Sequence, residues 1–177
     1  MPFASDVALP SHQFLTDACL MGGGAAFGSD WFYVSWEVDM PEISKSHINV
    51  LELTTVLVAA ERWGPQWYGK HIVVRSDNSA TVASINKGTS RSVDLLGLVQ
   101  KLFWLSIKYS FKLTASFLPG KLNILSDRIS RMHAPIPASE AQGYLCNINE
   151  DCLEVCGHMT KATFVWLQAF WEMSWNL

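Results

Sequence analysis

The sequence is short of charged residues and has no long uninterrupted hydrophobic run. Only 16% of its 177 residues are charged and 49% are apolar, whereas disordered chains show the opposite balance. The longest apolar stretch, Val50 to Ala60, is interrupted by Glu52 and is far shorter than the roughly 20 residues that a bilayer requires. The first residues lack a basic segment followed by an apolar one, so no signal peptide is expected. We therefore expect a protein with no membrane contact that is intracellular, either cytoplasmic or nuclear.

Cysteine pairs at the close spacing typical of zinc sites are also missing. Cys146, Cys152, Cys156 and His158 form a C-x5-C-x3-C-x-H pattern without the C-x2-C pair by which such sites are recognised. Free thiols are expected here, with a structural zinc as the alternative. Cys19 lies in an apolar segment and is expected to be a small buried side chain.

The net charge of −3 hides an uneven distribution along the chain. Residues 1–69 carry a net charge of −6, residues 70–132 carry +7, and residues 133–177 carry −4. A locally basic segment attracts a polyanion even when the whole chain is acidic. The alternative is that these cations form the solvated face of a helix.

The hydrophobic pattern predicts an α/β domain with a five-stranded mixed sheet. Strands are expected at 12–20, 25–28, 31–38, 70–76 and 111–118, and helices at about 47–63, 79–86, 93–109 and 123–132. The segment Gly22-Gly23-Gly24 is interpreted as the turn after the first strand. The first three strands should be antiparallel, and the later βαβ units should add parallel strands, with helices on both faces of the sheet.

A change of pattern after Met132 predicts that the domain spans residues 1–132, followed by an extension over 133–177. The extension begins with the linker-like segment His133-Ala134-Pro135-Ile136-Pro137. Near its end, an apolar stripe recurs at helical spacing and consists of Phe164, Leu167, Trp171 and Trp175. The extension is expected to pack on the domain, and the alternative is a contact surface for a partner such as a polymerase domain.

Four carboxylates occupy positions where burial or proximity to apolar residues makes a charge costly. Asp17 interrupts the first strand, Glu52 lies in the first helix, Asp77 ends the fourth strand, and Asp127 begins the last helix. Such a position costs several kcal/mol unless the carboxylate is paired. Converging carboxylates would suit hard divalent cations, and two such ions about 4 Å apart can promote phosphoryl transfer. Taken singly, Asp77 and Asp127 are better explained as a helix cap or an ion-paired acid than as metal ligands.

The sequences around these acids resemble the ribonuclease H family of the type found beside reverse transcriptases, and within it the ribonuclease H domain of DIRS-type retrotransposons. The acids occur in the order Asp, Glu, Asp, Asp at intervals of 35, 25 and 50 residues. The resemblance covers residues 12–132. It rests on these segments: Thr16-Asp17-Ala18, Ile48-Asn49-Val50-Leu51-Glu52-Leu53, Arg75-Ser76-Asp77-Asn78-Ser79-Ala80-Thr81-Val82, Ile85-Asn86-Lys87-Gly88, Pro119-Gly120-Lys121-Leu122-Asn123 and Ser126-Asp127-Arg128-Ile129-Ser130-Arg131.

The resemblance implies a ribonuclease H-like fold and endonucleolytic cleavage of the RNA strand of RNA–DNA hybrids. Two Mg²⁺ ions would act as cofactors, with Mn²⁺ as a substitute, and the products would carry a 5′-phosphate and a 3′-hydroxyl. Asp17 would bridge both ions, Glu52 and Asp77 would hold the ion that activates water, and Asp127 would complete the ion on the leaving-group side. The implied partners are the hybrid itself and a reverse transcriptase domain.

The resemblance also implies nucleic-acid contacts. Asn49 and Ser79 match positions that contact the minor groove and the 2′-hydroxyls, which distinguish RNA from DNA. The backbone near Cys19 and Asn78 is expected to join them. Lys87 and Lys121 are the remaining expected nucleic-acid contacts.

The sequence departs from the family in the loop before the last acid. Many members have a mobile His there, but this sequence has no His between residues 78 and 126. Lys121 stands nearest to that position, and a lysine with a reference pKa near 10.4 is a poor proton shuttle at neutral pH. The implied consequence is a reaction that depends on the metal ions alone and has a lower rate. Ser126 also replaces the small apolar residue that usually precedes the last Asp.

The main alternative is a domain with the same fold that binds nucleic acid or protein without cleaving it. Such domains usually lose acids, whereas all four are present here. Exonucleases of the DEDD type have an acid two residues after the first, where this chain has Cys19. Integrases place their Glu last, whereas Glu52 comes second here. Both of these nuclease classes fit the sequence less well.

Overall fold

The computed structural model describes residues 12–28 and 30–131. The extension over 133–177, with its Cys-His pattern and its aromatic stripe, lies outside the described residues. The predictions for that part of the chain therefore remain predictions.

Five strands and five helices follow one another in the described residues. The strands are β1 (Gln13–Ala18), β2 (Gly22–Phe27), β3 (Asp30–Ser35), β4 (His71–Ser76) and β5 (Lys112–Phe117). The helices are α1 (Trp36–Asp39), α2 (Ile48–Trp63), α3 (Ser79–Lys87), α4 (Val93–Lys108) and α5 (Ile124–Ser130). A short 3-10 turn, Gly64–Trp67, follows α2.

The strands form one mixed sheet in the order β3-β2-β1-β4-β5. β1, β2 and β3 pair antiparallel, while β4 pairs parallel to β1 and β5 pairs parallel to β4. This arrangement confirms the predicted five-stranded mixed sheet with its first three strands antiparallel. The parallel strands are joined by helical crossovers, as parallel pairing requires.

Two consecutive glycines in β2 show that helices pack on both faces of the sheet. A Cβ atom on Gly23 would collide with Thr55 of α2 and with Trp36, whereas one on Gly24 would collide with Ile129 of α5. Because neighbouring residues of a strand point to opposite faces, α2 and α5 lie on opposite sides. The prediction of helices on both faces is confirmed, and the interpretation of Gly22-Gly23-Gly24 as a turn is wrong. All three glycines belong to β2, and at Gly23 and Gly24 the helices approach the strand too closely for a side chain.

The third strand also ends earlier than the sequence pattern predicts. β3 stops at Ser35, and α1 begins at Trp36, whose side chain is fully buried. The indole N–H of Trp36 donates to the main-chain oxygen of Cys19 at 2.9 Å. The main-chain N–H of Ser35 donates to Asp39 Oδ2 at 2.8 Å, which closes the short helix. These side-chain bonds end the strand despite its strand-forming composition.

Helix α2 is the centre of the core, since most of its residues are buried. Trp63 at its end and Trp67 just beyond it are fully buried. They pack against Phe14 of β1, whose ring lies 5.1 Å from that of Trp67. Burying each large apolar side chain contributes about 1.5–3 kcal/mol, so α2 is held firmly against β1. Among the described residues, none of the helices combines the length and the apolar character needed to cross a bilayer.

Candidate metal centre

The sheet brings three of the four predicted acids to one edge. β1 and β4 run parallel with Leu15 beside Arg75, and extending this register by two residues sets Asp77 beside Asp17. Glu52 reaches the same edge from the second turn of α2. Its Oε1 accepts a hydrogen bond of 3.1 Å from the main-chain N–H of Ala18. The convergence of Asp17, Glu52 and Asp77 therefore follows from strand direction and from the packing of α2 on β1.

The three carboxylates are close enough to share a cation. One oxygen from each of Asp17, Glu52 and Asp77 lies within 4.8 Å of the others. Asp17 is 5% exposed and Glu52 is 3% exposed, while Asp77 is half-buried. Three carboxylates at this spacing repel one another unless protons or cations neutralise them.

Asp127 lies outside this group of three. It is carried by α5, its side chain is 40% exposed, and its Oδ1 accepts a hydrogen bond of 2.9 Å from Arg131 Nε. This pair is the ion-paired arrangement that the sequence also allowed for Asp127. The charge of Asp127 nevertheless acts on the site. Burial raises the pKa of Asp17 and that of Asp77, and the negative charge of Asp127 raises both further.

Burial and mutual repulsion shift the acids towards their protonated forms. Burial is the main cause that raises the pKa of Asp17 to about 7, and the charges of Asp77 and Asp127 raise it further. A hydrogen bond from Ser130 acts in the opposite direction. Burial and then the charge of Asp17 raise the pKa of Glu52 to about 9. Burial raises the pKa of Asp77, which also shares a hydrogen bond with Asp17. A cation that binds here must therefore displace protons.

The donor set fits a hard divalent cation. All of its atoms are carboxylate oxygens, the ligands preferred by Mg²⁺ and Mn²⁺. Glu52 Oε2 is buried and has no hydrogen-bond partner within the described part of the chain. An unpartnered buried oxygen is costly, and a bound cation would remove that cost.

Helix α5 is tied to β1 at both of its ends. Before its first residue, Asn123 Nδ2 donates to the main-chain oxygen of Thr16 at 2.9 Å. At its last residue, Ser130 Oγ lies 2.8 Å from Asp17 Oδ2. Neither Asn123 nor Ser130 was predicted to be a site residue. Both stand in segments that carry the resemblance, but an ordinary polar side chain gives no further sequence signal for this role.

The predicted nucleic-acid positions Asn49, Asn78 and Ser79 lie together beside the acids. Asn78 Nδ2 donates to Asn49 Oδ1 at 2.9 Å, which joins the start of α2 to the start of α3. Asn78 also caps α3, because its Oδ1 accepts from the N–H of Thr81 at 2.9 Å. The alternative interpretation of Asp77 as that cap is therefore wrong. Ser79 is exposed at the first position of α3.

Of the other three predicted contacts, Lys121 and Cys19 lie near this edge, whereas Lys87 does not. Lys121 is exposed in the turn after β5, next to Gly120, where a Cβ atom would lie 2.9 Å from Asp77 Oδ2. Lys87 is exposed at the far end of α3, about 12 Å along the helix from its start. The main-chain N–H of Cys19 donates to the oxygen of Gly22 at 2.8 Å.

Comparison with known proteins finds structural but not sequence matches. No protein-family model matches the chain, and no curated protein matches it. RNase H1 from the halophilic archaeon Halobacterium salinarum is similar in structure, with a TM-score of 0.48 and 12% identity over 69% of this chain and 96% of that chain. The N-terminal RNase H domain of a Mycobacterium tuberculosis protein, solved as a fusion with maltose-binding protein, is similar with a TM-score of 0.46 and 13% identity. That match covers 67% of this chain and 91% of the other chain.

Proposed function

We propose that this protein is a divalent-metal-dependent endonuclease of the ribonuclease H type that cleaves the RNA strand of RNA–DNA hybrids. The observation that carries the proposal is the meeting of Asp17, Glu52 and Asp77, which are far apart in the sequence, within 4.8 Å. The sequences around them resemble ribonuclease H domains of DIRS-type retrotransposons. We therefore also propose a retrotransposon origin, with a reverse transcriptase domain as a partner.

In this proposal the four acids would hold two divalent cations, Mg²⁺ or Mn²⁺. Asp17 would contribute to both, Glu52 and Asp77 would hold one ion, and Asp127, whose Oδ1 accepts a hydrogen bond from Arg131, would complete the other. The bound ions would supply the Lewis-acid chemistry of an in-line displacement that leaves a 5′-phosphate and a 3′-hydroxyl. The role of the chain is to hold the carboxylate oxygens in a fixed arrangement. The bond from the Ala18 N–H to Glu52 Oε1 supports this role for Glu52.

Recognition of the hybrid is assigned to the side chains at the starts of α2 and α3. Asn49 and Asn78 are linked at 2.9 Å, and the neighbouring Ser79 hydroxyl is exposed. Amide and hydroxyl groups of this kind can bond to 2′-hydroxyls, which only the RNA strand offers. The exposed amines of Lys87 and Lys121 would attract phosphates, and the backbone at Cys19 would join these contacts.

Lys121 lies nearest to the position of the loop histidine of related sequences, and we assign it only the role of a positive charge. Its ammonium group can attract a phosphate, whereas lysine as a residue type is a poor proton shuttle at neutral pH. We therefore propose that cleavage depends on the carboxylate-bound ions without a side-chain proton shuttle. A rate below that of histidine-containing relatives is the expected consequence.

The test is cleavage of a hybrid labelled on either strand, with duplex RNA and duplex DNA as competing substrates, in Mg²⁺, Mn²⁺ or EDTA. Asp77→Asn removes one ligand charge and keeps the shape of the side chain. The matched control is Asp94→Asn, which changes an exposed acid in the first turn of α4. We expect cutting of the hybrid's RNA strand only, reduced by about 100-fold or more in Asp77→Asn and unchanged in Asp94→Asn.

Two outcomes would contradict the proposal. Cutting of duplex DNA or duplex RNA at the same rate as the hybrid would rule out a ribonuclease H specificity. Tight binding of hybrid by the folded protein, with no cutting in either metal, would favour the alternative of a ribonuclease H-fold binding module.

A further inference from the structure

Ser130, the last residue of α5, lies fully buried against the end of β1. Its Oγ is 2.8 Å from Asp17 Oδ2 and also 2.8 Å from the main-chain oxygen of Asp127. A serine hydroxyl has one hydrogen and can donate to only one of these acceptors at a time. A hydrogen bond to a charged acceptor is about twice as strong as one to a neutral acceptor. The Asp17 carboxylate is therefore the preferred acceptor whenever it is charged, as a metal ligand must be.

The sheet leaves space for this contact. Gly24 of β2 lies directly opposite Asp17 in the register of β1 and β2, so both point to the same face. A Cβ atom on Gly24 would collide with Ile129 and would lie 2.8 Å from the main-chain nitrogen of Ser130. The missing side chain at position 24 is what allows the end of α5 to reach Asp17.

The same contact also fixes the helix that carries Asp127. Asn123 anchors the start of α5 to the oxygen of Thr16, and Ser130 anchors its end to Asp17. The Cys19 thiol adds a contact of 3.3 Å to the main-chain oxygen of Ser130. Asp127 lies between the two anchors, so its distance from the other acids depends on both of them.

We propose that Ser130 is a positioning residue of the metal centre, whose hydroxyl orients the Asp17 carboxylate and holds α5, the helix that carries Asp127, against β1. This inference rests on the proposed function for its link to catalysis, but it makes a separate claim about metal binding. The competing explanation is that the hydroxyl only bonds back to the helix, as helical serines often do. Ser106 of α4 provides that case, because its exposed hydroxyl lies 2.6 Å from the oxygen of Phe103 and contacts none of the four acids.

The test compares Ser130→Ala with Ser106→Ala in the full-length chain. Binding of Mn²⁺ is measured by the electron paramagnetic resonance signal of the free ion, without nucleic acid. Loss of a hydrogen bond to a metal-ligating side chain typically weakens metal affinity by about 10-fold or more, and we expect this for Ser130→Ala. Ser106→Ala should bind Mn²⁺ as the unchanged protein does. In hybrid cleavage, Ser130→Ala should need a correspondingly higher Mg²⁺ concentration to reach half of its maximal rate, and its KM for hybrid should be unchanged.

The outcomes separate positioning from a structural role. Unchanged Mn²⁺ affinity in Ser130→Ala would overturn the proposal, even if the melting temperature fell. If Ser130→Ala does not fold, Ser130→Cys replaces it, because the thiol has similar size and donates weakly. A Mn²⁺ affinity of Ser130→Cys below that of the unchanged protein would then support the proposal, and an equal affinity would overturn it.

The inference and the proposed function can fail separately. If the unchanged protein binds Mn²⁺ but does not cut hybrid, the proposed function fails while the effect of Ser130→Ala on Mn²⁺ binding still decides the role of Ser130. If the unchanged protein binds no Mn²⁺, both are overturned.

Discussion

At the scale of single residues, the site is built from acids whose burial would be unfavourable without a bound ligand. Asp17 and Glu52 are almost completely buried, and Glu52 leaves one oxygen without a partner in the described structure. A fold that only needed stability would gain from replacing such a group by an apolar residue. The burial of two acids beside a third is typical of sites that trade stability for function.

Metal binding at this cluster should depend on pH. The pKa of Asp17 is raised to about 7 and that of Glu52 to about 9, so a cation must displace their protons. Mn²⁺ affinity is therefore expected to rise with pH from pH 6 to pH 9, by up to about tenfold per pH unit for each proton displaced. The affinity should level off only when the pH lies well above the pKa of Glu52, which is about 9, because all of the acids are then charged.

Isothermal titration calorimetry in buffers of different ionisation enthalpy would check this by counting the protons released on binding. Glu52→Gln is the matched control, since the amide cannot release a proton and should lower the count. Mn²⁺ affinity that stays constant between pH 6 and pH 9 would show that the cluster is not the binding site.

The sequence predicted that four acids converge, and the structure brings three of them together. The contacts that hold these acids could not be predicted. Asp17, Glu52 and Asp77 interrupt or end apolar elements, and that mismatch is visible in the residue pattern. Ser130 and Asn123 are ordinary polar residues near a helix, and their roles depend on the packing of α5 against β1. The sequence could not decide between an ion pair and a metal ligand for Asp127, because Arg131 lies one helical turn away on the same face.

At the scale of elements, β2 shows where a local interpretation fails. Three consecutive glycines favour a turn by intrinsic preference, yet Gly22–Phe27 is a strand between β1 and β3. The contacts that decide this are long-range, since Thr55 and Ile129 occupy the space on either face of the strand. Helix α2 was predicted within a residue or two, because its apolar residues and the following Gly64-Pro65 are local signals.

Gly24→Ala tests the importance of close packing between β2 and α5. The new methyl group would collide with Ile129, and overpacking of this kind typically costs about 1–3 kcal/mol. We expect a lower free energy of unfolding, measured by urea denaturation, and weaker Mn²⁺ binding because α5 is displaced from Asp17. A variant as stable as the unchanged protein, with normal Mn²⁺ binding, would refute this account of the glycine.

Gly97→Ala is the matched control for this substitution. Gly97 lies inside α4, and a Cβ atom there would have nothing within 4 Å. Alanine favours a helix over glycine by about 1 kcal/mol, so Gly97→Ala should raise the free energy of unfolding. It should leave Mn²⁺ binding unchanged.

At the scale of the whole molecule, the order of strands could be predicted because hairpins and βαβ units obey strong topological rules. The positions of the basic side chains on the surface could not be predicted. Lys108, in the basic segment, is exposed, but its amine lies 3.9 Å from Oε1 of the buried acid Glu61 and over the ring of Tyr109, so part of its charge is already paired. Lys87, Lys112 and Lys121 are exposed. Net charge along the sequence therefore predicts a tendency to bind polyanions but not which cations remain available to bind them.

The predicted domain boundary at residue 132 can be tested by truncation. The buried hydrophobic core of the described structure extends from Phe14 to Ile129, so a fragment of residues 1–132 contains all of it. We expect this fragment to unfold in one cooperative transition and to bind Mn²⁺ as the full chain does. Loss of cooperative unfolding in the fragment would show that the boundary is wrong.

The same comparison tests the prediction that residues 133–177 pack on the domain. Burying one large apolar side chain contributes about 1.5–3 kcal/mol, and the extension carries a stripe of four such residues, Phe164, Leu167, Trp171 and Trp175. The full chain should therefore exceed the fragment in free energy of unfolding by about 2 kcal/mol or more. Equal stabilities would favour the alternative that the stripe is a contact surface for another protein, since an unpacked stripe adds nothing to the stability of its own chain.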